Sequence, residues 1–290
     1  MGDSKQYKIF RVVNFIIMML VVVVTLYPFL YVLAESFSGE KYIMKGMVTF
    51  FPRGFTTETY RVVMKEKDFW IEYKNTILYT VLGTAISVFL TGILAYALSK
   101  KRLKGRNFFL AFTLFTMFFS GGIIPNYVVV KALGMRNTIW AVVIPGAIST
   151  YNMIIMKTFF EGLPKELEES ASVDGLGTYG IMVRIMLPLS KPILATMTLF
   201  YAVGLWNSWF GPFMYLDNKK LFPVTLYIRN IIAGANSTAE NSGSNTEALA
   251  QVAATIKAAS IILTVLPILC VYPFVQKYFV TGVMIGSVKG

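Results

Sequence analysis

The chain of 290 residues contains no histidine and a single cysteine, Cys270. Without histidine there is no imidazole acid–base chemistry, no His metal site and no His pH switch. One cysteine excludes an internal disulfide framework, and no CxxC pair is present. No GxxxxGK[ST] phosphate loop occurs, so the chain does not bind ATP by that route. Charge is scarce too: Asp, Glu, Lys and Arg make up 14% of the residues, against 56% hydrophobic and 15% aromatic. Soluble globular domains carry about a quarter charged residues, so the composition points to a membrane. The net charge of +12 does not call for nucleic acid, because the basic residues flank apolar runs instead of forming a basic domain. Membrane orientation explains them.

Six runs lack any Asp, Glu, Lys or Arg: 12–34, 75–99, 107–130, 137–156, 192–216 and 258–276. Crossing a hydrocarbon core of ~30 Å takes about 20 apolar residues. The pattern predicts an all-α polytopic membrane protein, with six transmembrane helices joined by outer loops at 35–74 and 217–257. The first run is too long for a signal peptide and ends without a small-x-small cleavage site. Between the second and third runs, five of the seven residues from Lys100 to Arg106 are basic and none is acidic. Such a cluster marks the cytoplasmic side, and six spans then put both termini and the 161–192 segment there. Ser120-Gly121-Gly122-Ile123-Ile124-Pro125 interrupts the third run. That reads either as a broken helix lining a transport path or as a helix that ends early and re-enters at the interface. Pro145-Gly146 falls near the middle of the fourth run, and 234–245 is small, polar and flexible in composition.

No run keeps the carboxylate or histidine that proton-coupled carriers use as an ion relay. A transporter with neither relay nor ATP site most simply takes its energy from a partner. The 161–192 segment is built to receive one. Pro164 suits the first turn of a helix, and Glu166, Glu168 and Glu169 lie where the helix dipole favours negative charge. Leu163, Leu167 and Ala171 fall four apart and make one apolar stripe. Asp174-Gly175 stops that helix. Tyr179, Met182, Val183 and Met186 mark a second, and Leu187-Pro188 with Pro192 are expected to break the chain before the fifth run.

Glu169-Ser170-Ala171, then Gly175, then Ile185 and Leu187-Pro188 resemble the EAA signature of ABC importer permeases. The pattern is E-A-A, a glycine four residues on, and I-x-L-P; only Ser170 departs from it. The resemblance implies a cytoplasmic coupling helix that docks on an ATPase, with Leu167, Glu169, Ser170, Ala171, Asp174, Gly175, Ile185, Leu187 and Pro188 as coupling residues. Phe51-Pro52, Thr57, Tyr60-Arg61 and Asn75-Thr76 look like the carbohydrate-uptake permeases related to the maltose importer. Leu133-Gly134, Asn137-Thr138, Trp206-Asn207 and Gly211-Pro212 fit that pattern too. The stretches SGGIIPNYVVVKALGMRNTIWAVVIPGAIS and YFVTGVMIGSVKG are similar to the branch that imports oligosaccharides released from complex polysaccharides.

What this implies is one importer transmembrane domain over 1–290, with its core at about 72–280, in the cytoplasmic membrane of a bacterium. The chain itself would be non-catalytic and bind no metal or cofactor, ATP and Mg being held by the partner ATPase. Implied partners are a second, homologous permease, two ATPase subunits, an extracytoplasmic solute-binding protein, the carbohydrate and membrane lipids, with no nucleic acid. A sugar needs aromatic faces to stack on and amides or hydroxyls to bond. Tyr201, Trp206, Asn207 and Trp209 in the fifth run supply them, with Gly121, Gly122 and Pro125 at the break in the third. At ~1.5 Å per residue from Pro192, Trp206 lies about 20 Å into the membrane. Trp206 and Trp209, three apart, are expected to share a helical face, and an aromatic belt at the outer interface is the competing reading. A permease for another solute, such as amino acids or phosphate, and a membrane-embedded enzyme are the other classes open.

Overall fold

A computed structural model describes residues 5–241 and 255–273. Among them the regular structure is entirely helical. In chain order the helices are α1 (Lys5–Ser36), α2 (Glu40–Met44), α3 (Glu58–Lys65), α4 (Lys67–Ser99), α5 (Arg106–Phe118), α6 (Ile123–Ala132) and α7 (Trp140–Val143). There follow α8 (Thr150–Glu161), α9 (Glu166–Val173), α10 (Thr178–Ile181), a π turn at Met182–Met186, α11 (Leu187–Leu189), α12 (Lys191–Trp206) and α13 (Phe210–Tyr215). After a 3₁₀ turn at Lys219–Leu221 come α14 (Val224–Asn241) and α15 (Thr255–Pro273).

Three helices, α1, α4 and α15, are each long and apolar enough to cross a membrane. α1 carries apolar side chains on every side from Tyr7 to Leu33, and most stand exposed. A helix apolar all round is one built for lipid or a protein interior. Two helix pairs reach the same length and hydropathy only when taken together across a bend, as a broken span or a re-entrant loop would: α5 with α6 turns through 118°, and the α10–α11 segment with α12 through 82°. The first bend falls at the two glycines, where Gly122 takes φ +86°, a conformation that Gly alone adopts freely. The third run is therefore broken, as its Gly-Gly…Pro composition required. The fourth run, 137–156, is also no single helix. Pro145-Gly146 separates α7 from α8, and α8 continues to Glu161.

The polar segments 35–74 and 217–241 hold more helix than their polarity suggested. α4 begins at Lys67, eight residues before the charge-free run, because a helix extends through Asp68, Glu72 and Lys74 once it leaves hydrocarbon. α2 and α3 occupy much of 35–74. α14 runs through 234–241, where composition had indicated a flexible chain; 242–245 lie outside the described residues. The C-terminal stretch YFVTGVMIGSVKG and the end of the sixth run lie outside them too.

The described residues divide into two compact units, 5–69 with 227–241 and 255–266, and 70–226 with 267–273. In the first, the chain beyond α1 folds back on itself. The Ser38 hydroxyl donates to Ala34 O at 2.6 Å and accepts from Arg53 N at 3.0 Å, while Gly39 N donates to Arg53 O. Phe37 stacks on Phe55, and Ser36 and Tyr60 share a hydrogen bond of 2.8 Å.

The second unit has a continuous core. Ala95, Tyr96 and Leu98 of α4, Met153, Met156 and Phe160 of α8, Ala171 of α9, Ile181 of α10, Met182 and Met186 of the π turn, and Ile193 and Met197 of α12 are all buried together. At one end of this unit side-chain amides stitch three segments together. Asn75 Nδ2 donates to the carbonyls of Lys220 and Phe222, and Val224 N donates to the Thr76 hydroxyl. Asn137, at φ 59°, accepts from Asp217 N (2.6 Å) and Asn218 N (3.0 Å) and donates through Nδ2 to Asp217 Oδ2. Asparagine is among the few residues that tolerate a left-handed backbone, so one residue turns the chain and caps its neighbour.

Candidate functional site

The 161–192 segment holds α9, a glycine turn, and the α10–α11 stretch with its π turn, all packed on the core of the second unit through Ala171, Ile181, Met182 and Met186. α9 begins at Glu166, with Lys165 as its N-cap and Glu166, Glu168 and Glu169 in its first turn; Pro164 lies just before it. Its end is a Schellman motif. Gly175 sits at φ +81°, Gly175 N donates to Ser172 O, and Leu176 N donates to Ala171 O at 3.0 Å. Ala171 is buried and Leu176 packs against the core, so the glycine turns the chain while the residue after it anchors it. No atom stands within 4 Å of where a Cβ on Gly175 would lie. The demand for glycine is thus one of backbone conformation.

Charge fastens the helix in place. Lys100, in the basic turn after α4, forms an ion pair with Glu168 and rests 4.3 Å above the Tyr96 ring. Arg106 bonds Glu161 Oε1 at 2.6 Å, Lys157 bonds Glu161 Oε2 at 2.9 Å, and Arg106 Nε donates to Leu98 O at 2.8 Å. Burial pushes the Glu161 carboxyl up, but hydrogen bonds and charge from Lys157 and then from Arg106 outweigh it and hold it below the usual carboxylate range. Lys100 and Glu168 are 68 residues apart, Arg106 and Glu161 55. The sequence reading singled out Glu169 and overlooked these pairs. Their only local signal was a basic run facing an acidic one across two apolar segments.

Of the residues named for coupling, Ala171 is buried, Ile185 and Leu187 pack on the core from partly exposed positions, and Glu169, Ser170, Asp174, Gly175 and Pro188 are exposed. Leu167, expected on the buried stripe, is 39% exposed. Val173, which helical periodicity did not mark, is 87% exposed, and Tyr179, expected on the stripe of the second helix, is 83% exposed. The outward face therefore mixes acid with apolar surface.

The break before the fifth run is not at Leu187-Pro188. The chain stays helical through the π turn and α11 and bends at Ser190. Pro188 brings no N–H, and a π turn just ahead of it is a way to absorb the lost bond. α12 ends at Trp206, so Trp206 and Trp209 are not on one helical face. Trp206 is 8% exposed and meets the Tyr73 ring edge-on at 5.9 Å, whereas Trp209 is 45% exposed. Tyr201 is buried. Its hydroxyl accepts from Ser149 N at the start of α8 and shares a 2.7 Å hydrogen bond with Thr91 of α4. Asn207 is exposed with its amide NH₂ on Val203 O, and Gly121, Gly122 and Pro125 are exposed at the start of α6.

A groove of about 760 Å³ opens between α4 and the α10–α12 segment, lined by residues such as Val81, Phe89, Met182, Leu187 and Leu194. Its polar side chains are Thr80, Thr84, Thr198 and Tyr179, and the hydroxyls of Thr80 and Thr84 are buried without a partner among the described residues. Such a wall cannot replace the water lost by a sugar's hydroxyls.

Residues 89–285 match the family described as binding-protein-dependent transport system inner membrane component. The chain is 43% identical to protein LplC of Bacillus subtilis (strain 168) over 290 residues, covering 100% of this chain and 98% of that protein. It is 39% identical to the polygalacturonan/rhamnogalacturonan transport system permease protein YtcP of the same organism, over 91% of this chain and 92% of that one. Its fold matches a chain of the crystal structure of a bacterial ABC transporter involved in the import of the acidic polysaccharide alginate. The TM-score there is 0.86 at 32% identity, over 96% of this chain and 99% of the other.

A carboxyl whose folded pKa lies below its unfolded value contributes stability that is present above the unfolded value and is lost as pH falls through the folded one. Glu161→Gln should therefore cost on the order of 0.5–1 kcal/mol at neutral pH and flatten the acid limb of stability. Thermal unfolding of the detergent-solubilised protein, followed from neutral pH down through the carboxylate range, measures this. Superimposable acid limbs for the wild type and Glu161→Gln would show that the pairs hold nothing.

Proposed function

The chain belongs to the family of binding-protein-dependent transport system inner membrane components, and on that footing we propose that it is the permease subunit of an ATP-driven oligosaccharide importer. It passes its substrate across the cytoplasmic membrane by alternating access, paired with a second permease, two ATPase subunits and an extracytoplasmic binding protein. The observation that carries the reading is the outward face of α9 and α10. It is acidic and apolar, shaped by a Schellman turn and held on the core by ion pairs. Side chains as apolar as Val173 and Tyr179, almost fully exposed, call for a protein surface to cover them. The oligosaccharide is favoured by the relatives, whose names specify a pectic polysaccharide and alginate. ATP and Mg belong to the partner ATPase.

In this reading the basic turn at 100–106 and the α9 face lie in the cytoplasm, with both termini on the same side. A Cys270→Ser background with single cysteines at Lys101 or Asn218, both exposed, tests the orientation. The Lys101 cysteine should react only with reagent admitted to the cytoplasm and the Asn218 cysteine from outside. Labelling of both from one face would invert the assignment.

Coupling is tested at Gly175. A side chain at φ +81° costs roughly 1–2 kcal/mol in backbone strain, and arginine adds bulk to the docking face. Gly175→Arg should insert normally but lose at least about tenfold in uptake and in substrate-stimulated ATP hydrolysis, whereas Gly175→Asn, which tolerates the conformation, should retain much of both. Wild-type transport by Gly175→Arg would return 161–192 to an ordinary connecting segment.

We place the sugar's path along Asn207, Trp209 and the Gly121-Gly122…Pro125 break, with Tyr201 and Trp206 supporting it from within. A hydrogen bond contributes about 1 kcal/mol net, so Asn207→Leu should lower transport several-fold. Trp209→Ala should do the same by removing a stacking face, both without loss of assembly. The measurement is the concentration dependence of uptake at matched membrane levels, and unchanged kinetics in both variants would assign the path to the partner permease.

A further inference from the structure

The end of the second unit stitched by Asn75 and Asn137 carries an excess of positive charge. Lys74, Lys131, Arg136, Lys219 and Lys220 are all exposed there, and among the described residues Asp217 is the exposed acid set with them. Arg136 bonds Asp217 at 2.6 Å. Among the described residues the four lysines have no acidic partner. In the orientation proposed above this is the outward face, where short segments of membrane proteins are usually poor in Lys and Arg. Clustered ammonium groups also repel one another within a Debye length of about 8 Å. An unneutralised basic rim on this side therefore runs against both topology and self-repulsion.

The rim is joined to rings. The Arg136 guanidinium lies 5.9 Å from the centroid of Tyr127, and Tyr127 stacks on Tyr215 at 6.3 Å with an interplanar angle of 20°. Lys131 is one helical turn beyond Tyr127 on α6, and Lys219 and Lys220 follow Tyr215 closely in the chain. Cations set around aromatic faces have the chemistry for a sugar that carries carboxylates. The ring face stacks on the pyranose while ammonium or guanidinium groups take the charge.

Building on the carbohydrate reading, we propose that the substrate is an acidic, uronate-containing oligosaccharide. Lys131, Lys219 and Lys220, beside the Tyr127–Tyr215 platform, form the rim that receives its carboxylates as it enters the permease. An acidic face of the binding protein would meet the same lysines but would not distinguish charged from neutral sugars. Lipid phosphates would leave uptake untouched.

The test uses host cells lacking their own copy of the chain, complemented with the wild type or with the triple variant Lys131→Gln, Lys219→Gln, Lys220→Gln at matched membrane levels. Uptake is measured for labelled galacturonate and mannuronate trisaccharides and for the corresponding galactose and mannose trisaccharides. The wild type is expected to favour at least one uronate trisaccharide. The triple glutamine variant should lower its preference over the neutral counterpart about fivefold, through a raised half-saturation concentration, and the triple arginine variant should keep it. Parallel loss for charged and neutral sugars would make the rim a docking surface for the binding protein and overturn the proposal, as would unchanged uptake in the glutamine variant. Import of a neutral trisaccharide without its uronate counterpart would refute the acidic substrate and leave the carbohydrate reading standing. Import of none of the four would refute both.

Discussion

Glu161 is the fixed point on which the 161–192 segment depends. Both of its carboxylate oxygens are occupied, one by Arg106 and one by Lys157, and Arg106 is itself held to the end of α4 through Leu98 O. One turn further, Lys100 pairs with Glu168 while lying on Tyr96, whose ring meets Phe160 edge-on at 5.7 Å. Charge at the surface is thus tied to an aromatic pair in the core. Exposed ion pairs taken singly contribute little. Here Arg106 and Lys157 share one carboxylate, the pairs are partly covered, and they rest on packed side chains, which are the conditions under which such pairs fix geometry. α9 needs the help. Of its own apolar residues only Ala171 is buried, while Leu167 and Val173 face outward.

Much of this was legible in the sequence wherever the signal was local. The charge-free runs marked the apolar helices, Gly121-Gly122 marked the break between α5 and α6, and Asp174-Gly175 marked the end of α9. These are one-dimensional signals, a run length or a residue that alone tolerates a backbone angle. What escaped was set by distant parts of the chain. No periodicity links Lys100 to Glu168 or Arg106 to Glu161, and nothing in the fifth run announced that α12 would stop at Trp206 and send Trp206 inward and Trp209 outward. The polar stretch 35–74 was helical in part and 224–241 throughout despite their composition, because helix needs only compatible residues and a place to pack. Membrane-like hydropathy measures only how readily a segment enters lipid.

The breaks obey a common constraint. In hydrocarbon every backbone N–H and C=O has to be satisfied within the protein, so a kink is tolerated only where the freed groups find partners or protected surroundings. At Gly122, glycine permits the sharp turn and the N–H bonds the Ser120 hydroxyl at 3.3 Å. At Pro145-Gly146, the chain re-enters helix through Ser149, whose hydroxyl accepts from Asn152 N and whose own N–H reaches Tyr201. At Pro188, a π turn takes up the missing donor, and the bend is deferred to Ser190, whose N–H still reaches Met186 O at 3.0 Å. Each discontinuity carries its own local hydrogen bonds, so the breaks are rigid corners.

Rigid corners matter for what the second unit has to do. α10 and the aromatic end of α12 lie on two arms of one bent element, joined at Ser190 and turned by 82°, and α9 precedes the first arm through the Gly175 turn. Ala171, Ile181, Met182, Met186, Ile193 and Met197 belong to a single buried cluster that also takes in α4 and α8. Close-packed interiors have low compressibility, so the arms, the end of α4 and α8 are set to move as one piece. Alternating access in transporters is largely rigid-body rocking around a fixed site, and it requires that the part touching the energy source be stiffly joined to the part touching the substrate. Tyr201 extends that joint. One phenol hydroxyl connects α12 to Thr91 of α4 and to the first turn of α8, five residues before Trp206 on the same helix. By its geometry Tyr201 is a buried link between three helices, with both of these hydrogen bonds made to other elements of the same unit.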